Sequence, residues 1–324
     1  MSQQDWPTLQ GIEGAVETVR PHMAETPLVK SEMLSAALAA DVWLKNETVT
    51  PIASFKIRGA LAAVVQAKSG GAAAVVTSST GNHGQGVAYA ARALGMQAFI
   101  FLPDPANPVK AAMIEAFGGV LYEVGDTFDL CKAAAQRFAD TNGHVFVDDG
   151  EDRAVMEGAG TVAWEVAQAL ADIDALIVPM GGGNLSAGCA TAMKVLQPQA
   201  RIISVQAKGS PAMTESFHAR EPVQRPIDTI ADGLVTGVPP VLALAVLWER
   251  LDDAWLTDDE SLLAGVHTLA EAGHVLVEPA GSAALVGAWQ HRDELAGKRI
   301  VLILTGANIS AALLRRALSL SPLW

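Results

Sequence analysis

Residues 174–196 read DALIVPMGGGNLSAGCATAMKVL, and this stretch decides the fold. Its first seven residues are a short apolar run, residues 181–183 are all glycine, and residues 184–196 follow a helical pattern. A buried strand that passes through a glycine turn into a helix is half of a parallel βαβ unit. The same rhythm extends in both directions. AAAVVTSS (72–79), QAFIFLP (97–103) and GVLYEVG (119–125) read as strands, as do RIISVQA (201–207) and RIVLILTG (299–306). HGQGVAYAARALG (83–95), PVKAAMIEAFG (108–118), TFDLCKAAAQRFADTNG (127–143) and GTVAWEVAQALA (160–171) read as helices. Gly95, Gly118 and Gly143 stand where helix C-caps are expected. The alternation predicts an α/β protein whose parallel sheets carry helices on both faces. The acidic, turn-rich VDDGEDRAV (147–155) is the expected crossing between two such α/β units.

Composition narrows the function. The 324 residues are 50% hydrophobic and 18% charged, with a net charge of −13 and no basic run. Nucleic acid is therefore not an expected partner. No segment approaches the roughly 18 uninterrupted apolar residues of a membrane span, so no membrane partner is expected. The opening MSQQDWPTLQ has neither the basic nor the apolar region of a signal peptide. Cys131 and Cys189 match no metal or redox spacing and read as buried small hydrophobes. A cytoplasmic protein is expected.

In open parallel sheets, ligands gather at the carboxyl ends of strands. Four polar or glycine-rich sites fall there. Gly181, Gly182 and Gly183 free their backbone N–H groups to converge, and the helix from Asn184 and Leu185 adds its positive end, making a cup for a phosphate monoester. A dinucleotide fingerprint would want an acid after the next strand, where RIISVQAKG offers Gln206 and Lys208. SSTGNHG (78–84) supplies hydroxyls at Ser78, Ser79 and Thr80, an amide at Asn82 and an imidazole at His83. Any one of these hydroxyls is as readily an N-cap, but together they suit a carboxylate. TGANIS (305–310) ends a strand with Thr305, Gly306 and Asn308. Lys56, in TPIASFKIRGA (50–60), opens a helix among apolar neighbours, with Arg58 about 200° away around it. It is either an ordinary solvated lysine or a partly desolvated amine fit to act as nucleophile or base.

Pyridoxal phosphate turns the four sites into one device: the lysine forms a Schiff base, the glycine cup holds the phosphate and a hydroxyl meets the pyridine nitrogen. The chain resembles the fold-type II pyridoxal-phosphate enzymes, in particular the serine/threonine dehydratase and serine racemase group. The resemblance runs through ETPLVKSEMLS (25–35), LKNETVTPIASFKIRGA (44–60), SSTGNHGQGVAYAARALG (78–95), VPMGGGNLSAG (178–188), TIADGLV (229–235), VEPAGSAAL (277–285) and LTGANIS (304–310). It implies a tryptophan synthase β-like architecture, with two doubly wound parallel or mixed-sheet domains and the cofactor in the cleft between them. Residues 1–49 and 148–324 would form the large domain and residues 50–147 the small one. Lys56 would carry the cofactor, with Phe55 beside it. Asn82 would meet the ring 3′-oxygen, Gly181 to Leu185 would bind the phosphate, and Thr305 would meet the ring nitrogen. Ser79, Thr80, Gly81, Asn82 and His83 would line the substrate carboxylate loop.

A neutral hydroxyl at the ring nitrogen makes a weaker electron sink than a carboxylate would, which favours elimination over transamination. The resemblance therefore implies a dehydratase or ammonia-lyase in which Lys56 removes the α-proton of a β-hydroxy amino acid and water leaves from Cβ. The products are a 2-oxo acid and ammonia. Threonine and serine are the default substrates; hydroxyaspartate, phenylserine and a hydroxyectoine-derived amino acid are compatible. The alternative is a serine-type racemase on the same scaffold, with Thr80 as the acid on the second face. A nucleotide-binding dehydrogenase leaves Lys56 and Thr305 unexplained. The chain departs from the group at Ile52-Ala53, where many relatives have Thr-Gly, and at Ala307, within Gly306-Ala307-Asn308. Gln206 stands where racemase-like relatives place a metal-binding glutamate, so no divalent-metal site is expected. Nor is the regulatory C-terminal module of biosynthetic relatives expected after Trp324. The group usually forms homodimers.

Overall fold

The computed structural model describes residues 5–79, 81–104, 108–125 and 128–324. Strands β1 (Leu28–Lys30), β2 (Asp41–Asn46), β7 (Ala175–Pro179), β8 (Arg201–Ala207), β9 (Asp253–Thr257) and β10 (Arg299–Leu304) form one sheet in the order β1-β2-β10-β7-β8-β9. All its pairings are parallel except β1 with β2 at the edge. Strands β3 (Ala74–Ser78), β4 (Gln97–Leu102), β5 (Val120–Glu123) and β6 (Val145–Phe146) form a second, all-parallel sheet in the order β5-β4-β3-β6. The chain starts the first sheet, builds the whole of the second, and returns to finish the first.

Both central strands, β3 and β7, are buried along their whole length because helices cover both sheet faces. Alternate residues of β7 feed different cores: Ala175 and Ile177 pack on one face of the first sheet, Leu176 and Val178 on the other. Those continuous apolar runs are why the central strands are visible in the sequence. Gly95, Gly118 and Gly143 end their helices at φ of +68°, +94° and +66°, a conformation that an L side chain disfavours. The helix expected over 160–171 begins earlier, at Arg153, because the Asp152 carboxylate caps it by accepting from the Ala154 N–H at 2.8 Å. Residues 147–152 carry the chain from β6 into that helix.

A buried set of charges joins the two halves beneath the Lys56 turn. The Arg58 side chain is fully buried. Its Nε donates to Glu47 Oε2 at 2.7 Å, and its two terminal nitrogens reach Glu165 Oε1 and Oε2 at 2.7 and 2.8 Å. Thr26 and Thr161 hydroxyls accept from it at 3.0 Å each. Lys45, also fully buried, pairs with Glu165 and donates to the Thr26 carbonyl at 2.8 Å. Two cations thus face two carboxylates. Gly158 permits the approach: a Cβ there would lie 2.4 Å from the Arg58 carbonyl oxygen, so the helices Lys56–Ser69 and Arg153–Ala169 touch backbone to backbone.

Two stability outcomes follow. Arg58→Met would leave Glu47 and Glu165 buried without their main counter-charge, and is expected to cost about 3–5 kcal/mol in chemical denaturation. A loss under about 1 kcal/mol would show the network to be dispensable. Ala53 has a φ of +51°, and a left-handed L residue costs about 1–2 kcal/mol. After glycine's own entropic penalty, Ala53→Gly is expected to stabilise the fold by about 0.5–1 kcal/mol, read as a rise in the denaturation midpoint.

Candidate active site

The turn before Lys56 is docked on the carboxyl end of β10. Thr50 Oγ1 accepts from the Ser54 N–H and donates to the Ser54 carbonyl, both at 2.8 Å. Ser54 bridges Gly306, the Phe55 N–H donates to the Thr305 carbonyl at 3.0 Å, and the Ala307 N–H donates to the Ala53 carbonyl at 2.9 Å. The left-handed Ala53 lets the chain reverse here. Lys56 then opens its helix directly beside Thr305, while Arg58 leaves on the other face for the charge network.

The Lys56 amine is 17% exposed and forms an ion pair with Asp149, with oxygens at 2.5 and 2.7 Å. Asp149 is held from behind by Asn184, whose Nδ2 donates to Oδ1 at 2.8 Å. The His83 ring presents Nδ1 at 3.8 Å from the same oxygen. Burial by itself would raise the Asp149 pKa. The charge of Lys56, with hydrogen bonds from Lys56 and Asn184, outweighs it and holds the carboxyl well below the usual carboxylate range. The sequence alone had assigned Asp149 to the crossing segment. It follows β6, at the carboxyl end of a parallel strand like the other sites, but that two-residue strand was not read from the sequence.

A second carboxylate was also missed as a participant. Asn82 donates from Nδ2 to Glu278 Oε1 at 2.8 Å and accepts at Oδ1 from Asn308 Nδ2 at 2.7 Å. Asn308 in turn donates to the Ile52 carbonyl at 3.0 Å, which ties this group to the Lys56 turn. A Cβ on Gly306 would lie 2.8 Å from Glu278 Oε1, so that glycine makes room for the acid. Burial, followed by the charge of Asp232, pushes the Glu278 pKa up to about 7 against the opposing Asn82 hydrogen bond and the charges of Lys110 and Lys56. One Asn82 N–H hydrogen remains for a ligand.

The glycine loop meets the requirements of an anion cup. Gly183 has a φ of +95°, and a Cβ on it would strike the Met213 methyl at 2.7 Å. It starts the 13-residue helix Asn184–Leu196 with no side-chain cap, so the first-turn N–H groups are open to a ligand. A Cβ on Gly181 would lie 2.7 Å from the Gly233 carbonyl oxygen, whereas Gly182 has more room. Leu185 is buried in the core, so only its backbone N–H can serve a ligand. Thr305 is buried, with its carbonyl bound to Phe55. Ser79 Oγ accepts from the Gly81 N–H at 3.2 Å, at the start of the helix Asn82–Ala93. His83 is buried, and its Nε2 lies 3.3 Å from the Val147 carbonyl oxygen. Thr80 lies outside the described residues.

Lys56, the glycine loop, Asn82 and Thr305 are thus linked through short contacts: Lys56 to Asn184 by Asp149, Lys56 to Thr305 by Phe55, and Asn82 to the Lys56 turn by Asn308. An amine, a cup for a phosphate, an amide donor and a hydroxyl converging in this way fit pyridoxal phosphate.

The family model described as pyridoxal-phosphate dependent enzyme matches residues 19–306. An L-threonine ammonia-lyase of Geobacter sulfurreducens is 35% identical over 301 residues, 92% of this chain and 75% of that protein. Among solved structures, maize serine racemase superposes with a TM-score of 0.90 at 28% identity, covering 96% of each chain. The processed form of threonine deaminase isoform 2 from Solanum lycopersicum superposes with a TM-score of 0.88 at 29% identity, covering 97% of this chain and 94% of that one.

The Glu278 environment has a pH signature. In the folded protein this group holds a proton up to about 7, whereas its ordinary pKa is 4.5. Its favourable contribution to stability is complete below 4.5 and is lost as pH rises through about 7. Denaturation of the cofactor-free protein at a series of pH values is expected to show this loss, and Glu278→Gln to remove it. An unchanged slope in the variant would mean that Glu278 does not titrate there.

Proposed function

The chain belongs to the pyridoxal-phosphate dependent enzymes, and we propose that it is a dehydratase or ammonia-lyase acting on a β-hydroxy amino acid of the threonine or serine type. The products are a 2-oxo acid and ammonia. The observation that carries this reading is Lys56 opening its helix against Thr305, within reach of the glycine loop through Asp149 and Asn184. Similarity to the ammonia-lyase of Geobacter sulfurreducens supports elimination over racemisation.

Each residue has a task in this reading. The N–H groups from Gly181 to Leu185 and the positive end of the following helix bind the phosphate. Lys56 holds the cofactor covalently, with Phe55 packed 5.3 Å from its amine. The remaining Asn82 N–H meets the ring oxygen, and the Thr305 hydroxyl meets the ring nitrogen. Ser79 and Gly81 frame the substrate carboxylate at the start of the helix Asn82–Ala93. When bound, the cofactor supplies an electron sink for the pair left as the α-proton departs. The free, unprotonated Lys56 amine would be placed to take that proton. Thr80, proposed for the same loop, is the residue whose hydroxyl would serve a racemase. We further infer a cytoplasmic location, supported by the buried free thiols of Cys131 and Cys189, and, on family resemblance alone, a homodimer. Among the described residues no helix is long and apolar enough to cross a membrane.

The test is release of 2-oxo acid from L-threonine and L-serine by the cofactor-loaded protein. Lys56→Ala is expected to lower turnover by about a thousandfold or more and to abolish the absorption band of the lysine-bound cofactor. A variant that keeps both would overturn the assignment of Lys56.

A further inference from the structure

Asp149 has no task in the reaction just described, yet its surroundings are built around a cation. Its carboxylate pairs with the Lys56 ammonium and is anchored by Asn184. Its neighbour Asp148 turns away to Lys132 at 2.6 Å. Around Asp149 stand further acceptors that lack donors. In the neutral imidazole, His83 Nε2 carries the proton that bonds the Val147 carbonyl, and Nδ1 is then an acceptor. That Nδ1 is buried, unpartnered and 3.8 Å from Asp149 Oδ1. Asn184 turns its amide nitrogen to Asp149, and its own Oδ1 is buried without a partner. A carboxylate with bare acceptors beside it suits a group rich in N–H donors and positive charge.

In the folded chain without cofactor, Lys56 fills that role. It cannot do so while also performing the proposed reaction, on which this inference rests. Once Lys56 carries the cofactor, its free ammonium is gone, and the cofactor's phosphate adds negative charge nearby. When Lys56 is later released as the base, it must be unprotonated, and a bare carboxylate at 2.5 Å would hold it as the ammonium instead. A different cation beside Asp149 removes both conflicts.

We propose that the substrate supplies it: a β-hydroxy amino acid with a second, cationic nitrogen beyond Cβ, bound by Asp149 with His83 Nδ1 alongside. The substrate's ammonium takes the place that Lys56 occupies in the cofactor-free protein and frees Lys56 to act as base. Selection runs against a second carboxylate, which would meet the Asp149 carboxylate, with no arginine ion-paired to it among the described residues. It also runs against an uncharged aromatic side chain, which would leave the Asp149 carboxylate desolvated and unpaired.

The test uses two amino acids without a β-hydroxyl, which cannot lose water: 2-aminobutyrate and 2,4-diaminobutyrate, the same skeleton with an added ammonium. Each is titrated into the cofactor-loaded protein at neutral pH, and binding is read from the change in the cofactor's absorption band. The diamine is expected to bind about tenfold tighter or more, the scale of a charge-assisted hydrogen bond. Asp149→Asn, close to isosteric, is expected to reduce the ratio of the two affinities by about tenfold or more. Equal affinities in the wild type, or a ratio that Asp149→Asn leaves in place, would overturn the proposal. If the variant fails to fold, the wild-type ratio decides by itself. Protein that loads cofactor and turns over L-threonine but ignores the distal amine defeats only this inference. Protein that neither loads cofactor nor releases a 2-oxo acid defeats the lyase reading, and this inference with it.

Discussion

Everything in the site depends on how Arg58 is buried. A guanidinium taken wholly out of water is tolerable only if carboxylates meet it at close range and no donor is left over. Glu47 and Glu165 meet it from opposite sides: Glu47 follows β2 of the first sheet, and Glu165 comes from the helix Arg153–Ala169. The first turn of the Lys56 helix is therefore pinned by two carboxylates. Just before it, the Phe55 N–H is hydrogen-bonded to Thr305 at the end of β10. Lys56 has little freedom in where its chain begins, and that rigidity sets the reach of its amine.

Around this fixed point the site carries more negative charge than a phosphate-binding cleft needs. Asp149 and Glu278 come from distant parts of the chain, and their environments drive their protonation apart. Lys56 keeps the Asp149 carboxyl ionised, whereas burial and the charge of Asp232 push Glu278 towards the protonated form. Two carboxyl groups in different protonation states near one amine make the pocket selective for charge. The Asn82 amide sits between Glu278 and Asn308 with its orientation set by both partners, which prepares it to meet a ring oxygen at little entropic cost.

The strands easiest to read in the sequence, β3, β7, β8 and β10, are apolar runs because both of their faces are covered. The strand β2 passed unnoticed: DVWLKN ends in Lys45 and Asn46, residues that look solvated. Lys45 is in fact fully buried, and its charge is met by Glu165, 120 positions away in the sequence. The same blindness hid Asp149 and Glu278. An isolated acid in a sequence reads as surface, and only its burial and its distant partners make it part of a site.

By itself the sequence determined the α/β layering, the glycine loop before the helix Asn184–Leu196, and the lysine, amide and hydroxyl that answer to one cofactor. These features are local: apolar runs, turn chemistry and residue order express them within a few positions. Only the tertiary structure decided which charges leave water and what they then face. It brought Asp149 to Lys56 across 93 positions and Glu278 to Asn82 across 196. The cost of a buried charge depends on neighbours that the chain supplies from far away, and no local pattern encodes them.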